Sequence, residues 1–303
     1  MIENDIKKIR ESVRKESINQ DISILTKPSR YKSPAYVFIC WGVIFASVGL
    51  VDVLGYQFIV FSIIVCSVGQ RAIGNLLHDA SHYSLITSRP LAKWFSNLFL
   101  AIPTGQLFCD YQKVHLAHHR YLGDHMLDND FIHDIELSKR SALHIYARTL
   151  LRCKIFMGTC FSDLIGTNIK LQSCFIIWWV VFLMLCDFIS PTFAYSFVVV
   201  WLISRFTFFY LITVFRELTD HFGLEPGGVF SFTRNAPCKG ILRFLIHPLN
   251  NGYHLTHHLY PHVPWYNLPK AHKLLLKLEL YANAEHCDSY FSGKESVLYS
   301  WKN

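Results

Sequence analysis

Charged residues are scarce in this chain of 303 residues, since Asp, Glu, Lys and Arg make up 17% of it, against about 25% in a typical soluble domain. Lys and Arg are missing altogether from residues 34–70 and again from residues 171–204. The hydrophobic residues, 51% of the chain, are concentrated in these blocks instead of following a helical or strand period. The scarcity argues against an ordinary water-soluble protein, and the blocks predict segments surrounded by lipid.

Other absences narrow the class further. The nine cysteines include no CxxC pair, so neither a disulfide framework nor a cysteine metal site is predicted. Residues 1–33 contain no apolar core, which excludes a secretory signal within them. Their charges lie at helical spacing around Ile6, Ile9 and Val13, which predicts a cytoplasmic amphipathic leader. The net charge of +7 comes without a basic face interleaved with aromatics, so a nucleic acid partner is not predicted.

Each block without Lys and Arg is long enough for two membrane spans, because about 20 apolar residues cross a bilayer. Acidic breaks at residues 52–55 and 186–191 predict the turns. We therefore predict a polytopic, all-α membrane protein with four spans in two hairpins. The expected spans are residues 35–51, 55–75, 172–188 and 192–213. The apolar stretch 91–106 is too short to span, and it suits either an interfacial or re-entrant helix or a buried helix of a cap.

The distribution of basic residues predicts the orientation. Eight Lys and Arg residues precede the first span, and neither short turn has any. By the positive-inside rule, both termini and the segment between the hairpins are expected in the cytoplasm. No internal repeat is found, so residues 34–303 are interpreted as a single membrane-embedded domain with a cytoplasmic helical cap.

Histidine is the residue that the chain has in excess, with 16 copies. Eight of them form three clusters, called here the first box (HDASH, residues 78–82), the second box (HLAHH, 115–119) and the third box (HLTHH, 254–258). Residues three and four apart share one face of a helix, so each box can direct its nitrogens at one site. The box histidines are His78, His82, His115, His118, His119, His254, His257 and His258. His221, just beyond the fourth span, is a ninth candidate on the same membrane face.

The boxes predict a dimetal centre. Adjacent imidazolium ions would repel one another, so neutral, metal-bound rings are the simpler interpretation. Imidazole suits Zn, Cu, Fe and Ni, but nine nitrogens exceed one four-coordinate zinc site and suit two metals with open positions. The Glu-x-x-His pairs of soluble di-iron proteins are missing. Iron is the natural choice if the chemistry uses O2. The remaining histidines are interpreted as surface or core residues: His125, His133, His144, His247, His262, His272 and His286.

With its three boxes in this order and the segment HLYPHVPWYNLP at residues 258–269, the chain resembles the membrane fatty acid desaturase and hydroxylase superfamily. The resemblance extends from about residue 34 to residue 278. It implies a mushroom-shaped fold with four spans, whose cytoplasmic cap holds two irons at the mouth of a substrate tunnel. It also implies that the eight box histidines and His221 are the iron ligands.

Departures from the subfamily patterns narrow the expectation. His254 stands where front-end desaturases have glutamine, and no fused cytochrome b5-like haem motif is found, so a separate electron donor of the ferredoxin or cytochrome b5 type is predicted. The three-residue gap in the first box differs from the four-residue gap of the acyl-CoA delta-9 group and argues against an acyl-CoA substrate. Asp79, Glu217 and Asp220 are expected either to orient ligand imidazoles or to be solvated or paired charges at the membrane interface.

The predicted function is O2-dependent desaturation of a fatty acyl chain, either acyl-lipid or carrier-bound. The alternative at the same site is hydroxylation or ketolation of a lipid-like substrate such as an alkane, a sphingoid base or a carotenoid. A membrane hydrolase or receptor with histidine-bound zinc is a second class, for which about three histidines would suffice. A purely structural membrane protein is a third.

Overall fold

The computed structural model describes residues 1–128 and 135–301, so His133 lies outside the described residues. Within them all regular structure is helical. The helices are α1 (Ile2–Lys15), α2 (Asn19–Leu25), α3 (Lys32–Leu54), α4 (Ile59–Ser81), α5 (Arg89–Ser96), α6 (Phe108–Arg120), α7 (Ile135–Ser138), α8 (Ala142–Leu150), α9 (Cys153–Phe161), α10 (Ile169–Ile189), α11 (Pro191–Phe206), α12 (Phe208–His221), α13 (Val229–Phe232), α14 (Leu242–Ile246), α15 (His254–Leu259), α16 (Leu268–Leu275), α17 (Glu279–Ala282) and α18 (Val297–Ser300).

Four helical segments are long and apolar enough to cross a membrane. They are Lys32–Leu54, Tyr56–Ser81, Ile169–Ile189 and Pro191–His221. The first two pack against each other, as do α10 and α11, and α11 also packs on α3 and α4. The predicted all-α class with four candidate spans is therefore confirmed.

Both hairpin turns lie at the end of the ranges predicted for them, 52–55 and 186–191, because the aspartates do not break their helices. α3 continues through Asp52 to Leu54, and Gly55 makes the turn with φ +99°, a conformation that glycine adopts without strain. α10 continues through Asp187 to Ile189. Ser190 then accepts a hydrogen bond on Oγ from the N–H of Phe193 at 3.2 Å and caps α11. Gly and the Ser-Pro pair are the stop signals, and the acidic residues lie in the last helical turn.

The fourth span is not the continuous helix that was predicted for residues 192–213. It breaks at Thr207, whose φ and ψ are −123° and −103°, and α12 begins at the next residue. Just before the break, the buried Arg205 donates from Nε to the carbonyl of Cys160 at 3.0 Å and from Nη2 to Ser162 Oγ at 3.2 Å. A guanidinium inside a membrane segment requires such partners. α12 then continues to His221.

The segment between the hairpins is not a single helix over residues 91–106. α5 is followed by a π-helical turn, Asn97–Ala101, and by a 3₁₀ turn. In the π-helical turn, the carbonyl of Phe99 accepts the indole N–H of Trp41 at 2.9 Å, and the carbonyl of Leu98 accepts that of Trp178 at 2.8 Å. One tryptophan comes from each hairpin, so the irregular segment joins the two hairpins and ends just before α6.

The leader packs on the cap. Ile9, Val13 and Ile22 are buried in a core that also contains Leu255 and Leu259 of α15. The amphipathic pattern of the leader is thereby explained, because α1 packs on α13 and α2 packs on α16, and both of those helices pack on α15, which contains the third box.

Candidate metal centre

The structure brings the nine candidate histidines together in two groups. Within each group, one nitrogen of every ring lies within 4.8 Å of the others. The first group is His78, His82, His115, His119 and His257, and the second group is His118, His221, His254 and His258. All the residues predicted from the boxes and His221 are therefore included.

The second and third boxes are each divided between the two groups, which corrects the expectation that a box directs three nitrogens at one site. His115 and His119 lie in the first group, but His118 lies in the second. At about 100° per residue, positions i and i+4 are about 40° apart around a helix, whereas i+3 is about 60° away on the other side. The third box divides in the opposite sense, with His257 in the first group.

Within the first group, the Nε2 atoms lie at hydrogen-bond distances from one another, but there are more of these close pairs than hydrogen bonds can explain. His115 Nε2 lies 2.8 Å from His82 Nε2 and 3.1 Å from His119 Nε2, which in turn lies 3.0 Å from His257 Nε2. A ring nitrogen has one N–H or one lone pair in its plane, so His115 cannot bond to both neighbours. Metal–nitrogen bonds of about 2.1 Å at right angles would place two nitrogens about 3.0 Å apart, so this donor set fits a metal ion.

The second group has the same arrangement. His254 Nε2 lies 2.9 Å from His221 Nε2 and 3.0 Å from His258 Nε2. The two groups adjoin, because the rings of His119 and His258 stack with their centroids 4.2 Å apart. Two metal ions held by these groups would therefore be neighbours.

A buried nitrogen without a partner supports the same fit. His78 Nε2 is buried and has no hydrogen-bond partner among the described residues. Its ring lies against those of His115 and His257, with centroids 4.4 and 4.1 Å away. Leaving such an atom unsatisfied is costly, and a metal ion in the first group would satisfy it.

Burial keeps six of the candidate histidines in the neutral form. It lowers the pKa of His82 from 6.5 to about 3. In five others burial, followed by the repulsion of neighbouring imidazoles, lowers the pKa well below the usual value: His115, His119, His254, His257 and His258. The neutral imidazole is the form that binds a metal.

Two second-group histidines are oriented through their other ring nitrogen. His118 Nδ1 donates to Asp128 Oδ1 at 2.7 Å, and these side chains are 3% and 0% exposed. Asp128 Oδ2 accepts the backbone N–H of Gly123 at 2.8 Å. His221 Nδ1 donates to the carbonyl of Phe232 at 2.7 Å. A proton held at Nδ1 leaves the lone pair at Nε2 for a metal.

Asp128 was missed in the sequence. It follows His118 by ten residues in a loop with several other acidic residues, and no helical spacing relates the two. Asp128 differs from its neighbours Asp124 to Leu127 in being buried, since they are exposed. Burial of a single residue cannot be predicted from a short loop sequence.

Asp79 makes a different contact from the one expected. Its Oδ1 is 3.9 Å from Nδ1 of His78, which is longer than a hydrogen bond. Its Oδ2 accepts the backbone N–H of Trp265 at 2.9 Å. Asp79 thereby ties the end of α4 to the loop that follows the third box.

The other two predicted carboxylates interact with arginines. Asp220 Oδ2 lies 2.6 Å from Arg216 Nη2 and 3.6 Å from His254 Nε2. Glu217 is half-buried and interacts electrostatically with Arg71. The paired-charge interpretation therefore describes their contacts, and Asp220 also borders the second group.

A hydrogen-bond network supports the third box from behind. The N–H of Thr256 donates to Asn235 Oδ1 at 3.2 Å, and Asn235 Nδ2 donates to the Tyr281 hydroxyl at 2.7 Å. The same hydroxyl lies 2.6 Å from Thr256 Oγ1 and 2.7 Å from His272 Nδ1. Burial, followed by His286, lowers the pKa of His272 to about 4, so the network is built around a neutral ring.

Other lone histidines also have hydrogen-bond partners, in line with the interpretation of them as ordinary core or surface residues. His247 lies between Thr219 Oγ1 at 3.0 Å and the Tyr290 hydroxyl at 2.8 Å. His262 is exposed, and its Nδ1 donates to the carbonyl of His82 at 2.9 Å. This last contact reaches the first group directly from the surface.

A family model described as fatty acid desaturase matches residues 54–291, a range that includes all nine histidines. A dihydrorhizobitoxine desaturase of Bradyrhizobium elkanii is 25% identical over 286 residues, covering 88% of this chain and 81% of the relative. A beta-carotene ketolase of Paracoccus sp. (strain PC1) is 27% identical over 255 residues, covering 79% and 90%. A sphingolipid delta(4)-desaturase of Candida albicans (strain SC5314 / ATCC MYA-2876) is 24% identical over 291 residues, covering 86% and 75%.

Proposed function

Since the chain belongs to the fatty acid desaturase family and is therefore an oxidoreductase, we propose that it is a di-iron membrane enzyme that uses O2 to introduce a double bond into a fatty acyl chain. The acyl chain would be lipid-linked or carrier-bound. The observation that carries the proposal is the meeting of nine histidines in two adjoining groups. Ligands for two metal ions are available there, which a single zinc site would not need.

The residues of the chain have distinct tasks in this proposal. Each group would hold one iron, and the bound pair supplies O2 activation and the removal of hydrogen from an unactivated carbon. Asp128 and the Phe232 carbonyl hold protons at Nδ1 of His118 and His221, so that Nε2 is free to bind. Burial of both groups excludes water from the reacting carbon.

The electron balance requires a partner. Reduction of O2 to two molecules of water takes four electrons, of which the two C–H bonds that are broken supply two. A separate one-electron carrier, of the ferredoxin or cytochrome b5 type, would supply the other two in successive transfers. Both histidine groups and both termini would lie on the cytoplasmic side, because basic residues precede the first span and are missing from the two hairpin turns.

The similarity to a beta-carotene ketolase favours a second candidate, hydroxylation or ketolation of a lipid-like substrate at the same site. Both reactions begin by removing hydrogen from carbon, and they differ in whether a second hydrogen leaves or oxygen is added. Placement of the substrate against the two groups decides between them.

The test combines metal analysis with product analysis. The full chain is purified without air, its metals are counted, and the lipids of the expressing host are compared by mass spectrometry. Two irons per chain and products lighter by two hydrogens are expected. His257→Ala should abolish the product, whereas His144→Ala, at an exposed histidine outside both groups, should not. Products that gain oxygen would refute desaturation in favour of the second candidate, and one zinc per chain would refute both.

A further inference from the structure

An open cavity of about 410 Å³ borders the first group from outside. It is lined by His82 of the first group and by His262, and Thr26, Tyr83, Thr87 and Arg89 also line it. His262 donates a hydrogen bond to the carbonyl of His82. A ligand in this cavity would therefore lie next to His82, a member of the candidate metal centre.

The lining has the chemistry of an anion site. Among the described residues that line the cavity there are hydroxyl groups and a guanidinium but no Asp or Glu. The guanidinium of Arg89 lies over the ring of Tyr83, 5.5 Å from its centroid, and forms no ion pair within the described part of the chain. An arginine with a hydroxyl group beside it is suited to a carboxylate or a phosphate.

The charge in the cavity lining is positive. Arg89 is the only Lys, Arg, Asp or Glu among the described residues that line it. A positive charge in a concave site raises the local concentration of anions.

Tyr83 is held in an unfavourable backbone conformation at this place. It follows α4 with φ +56°. Its N–H donates to the carbonyl of Ala80 at 2.9 Å, and the N–H of Ser84 donates to that of Asp79 at 3.2 Å. This is the helix-ending pattern in which glycine usually occupies the Tyr83 position. A strained residue at a cleft suggests a use for its side chain. The ring of Tyr83 lies under Arg89, and its hydroxyl donates toward Gln112 Oε1 at 3.5 Å.

The mouth of the cavity lies beside surfaces suited to lipid. Residues 26–32 lead directly into the first span. On α5, Leu91 and Trp94 are 50% and 60% exposed, close in sequence to Arg89. Exposed aromatic and basic residues together are typical of the membrane interface, where lipid head groups lie.

We propose that this cavity binds the anionic head group of the lipid substrate, a carboxylate or a phosphate, through Arg89, whose guanidinium is held over the ring of Tyr83. The inference rests on the proposed function and adds a substrate class to it. The enzyme then acts on acyl lipids whose head group is negatively charged, and the head group is anchored next to His82.

The experiment measures equilibrium binding of three amphiphiles with the same apolar chain to the purified full chain in detergent. The probes are hexadecanoate, hexadecyl phosphate and hexadecanol. Arg89→Gln is expected to weaken binding of the two anions about tenfold, the loss of one charge-assisted hydrogen bond, and to leave hexadecanol unchanged. Arg89→Lys should restore part of the affinity. Lys93→Gln makes the same charge change on the same helix outside the cavity, and it should alter none of the three.

Tyr83 provides a second variant whose folding is not in doubt. Tyr83→Gly removes the strain, so its melting temperature should equal or exceed that of the wild type while anion binding weakens. Tyr83→Phe keeps the ring and should lose a smaller part. If Tyr83→Gly binds both anions as tightly as the wild type, the proposed role of this residue is wrong.

Three outcomes would overturn the proposal. Equal weakening by Lys93→Gln would mean that only the general surface charge matters. Equal weakening for hexadecanol would mean that the head group is not recognised. Loss of binding confined to vesicles of 30% phosphatidylglycerol in phosphatidylcholine, with monomeric anions unaffected, would make the cavity a membrane contact and not a substrate site.

Failure of this inference can be told apart from failure of the proposed function. The binding assay needs neither O2 nor an electron donor, so it can succeed with a protein that desaturates nothing. Conversely, product formation that is equally efficient with anionic and uncharged lipids would leave the desaturase proposal intact and refute the head-group site.

Discussion

Replacing Asp128 by asparagine exchanges one carboxylate oxygen for an NH2 group where both oxygens accept hydrogen bonds. One oxygen accepts from His118 Nδ1 at 2.7 Å and the other from the N–H of Gly123 at 2.8 Å. An amide has only one oxygen, so in either orientation its NH2 group faces a donor. The change in shape is minimal, but one of the two contacts must be lost.

The expected magnitude follows from two independent considerations. A buried donor left without an acceptor costs about 1–3 kcal/mol. Loss of the carboxylate behind a metal-bound imidazole typically lowers metal affinity about 10–100-fold, which corresponds to about 1.4–2.7 kcal/mol. Since the ranges agree, we expect Asp128→Asn to release iron from the second group about 10–100 times more readily. The first group does not contain His118 and should keep its iron.

The assay loads the full chain with ⁵⁷Fe, adds a chelator and follows both release and the Mössbauer spectrum of the iron that remains. The matched control is Asp124→Asn in the same loop. Asp124 is exposed, and its Oδ1 accepts the N–H groups of Met126 and Leu127 at 2.8 and 3.0 Å. Equal release from both variants, or unchanged release from Asp128→Asn, would refute the reasoning.

Three further predictions concern other parts of the structure. His257 and His258 are neighbours in sequence but belong to different groups. His257→Ala and His258→Ala should therefore each remove a different component of the Mössbauer spectrum. Identical remaining spectra would contradict the division of the third box. The pKa of His272 is lowered to about 4, so the unfolded chain takes up the proton first as pH falls below about 6.5. The free energy of unfolding of the wild type should therefore fall between pH 6.5 and pH 4. The fall is up to about 3 kcal/mol for a fully buried ring, and roughly half that when solvent screening is included. His272→Gln should show a flatter melting temperature over that range, and an unchanged pH slope would count against it. Arg205→Leu should destabilise the protein by at least about 2 kcal/mol, because it removes charge-assisted hydrogen bonds to the segments beside the fourth span, and Arg205→Lys should recover only part; a wild-type melting temperature for Arg205→Leu would be inconsistent with this.

The nine histidines could be found from the sequence because local rules place them. Spacings of three and four on a helix bring the box side chains to one face, and two hairpins return every box to the same side. His221 has no box of its own, and it was found from its place just beyond the fourth span and from the resemblance to the desaturase superfamily. Their meeting in space therefore needed no knowledge of tertiary contacts.

The division of the boxes was not predicted, although part of it follows from helix geometry. The angular separation of His118 from His115 and His119 is a property of any helix. Each side of α6 faces one of the two metal sites. The choice of site depends on how α6 and α15 lie against each other, and no local sequence pattern contains that information. The role of Asp128 depends on a loop that folds back over His118, which is also a tertiary property.

Both turns fall within the ranges predicted for them, but each helix continues past the aspartate in that range. Asp52 and Asp187 were interpreted as part of the breaks. At the last helical turn, however, a carboxylate can reach water, so it does not interrupt the backbone hydrogen bonds. Gly55 and Ser190 then stop the helices by backbone conformation and capping.

The packing of the leader on the cap also determines when the protein can finish folding during synthesis. Asp5 accepts the N–H of Val229, 224 residues later, and the carbonyl of Leu25 accepts a hydrogen bond from Asn267, 242 residues later. These contacts of the leader can therefore form only after both hairpins have been synthesised and inserted, and its apolar face stays exposed until then. Long-range contacts of this kind form slowly and leave a chain exposed to aggregation. A chain that is synthesised only to just before residue 267 would contain all nine histidines, but it would lack Asn267 and α16, on which α2 packs.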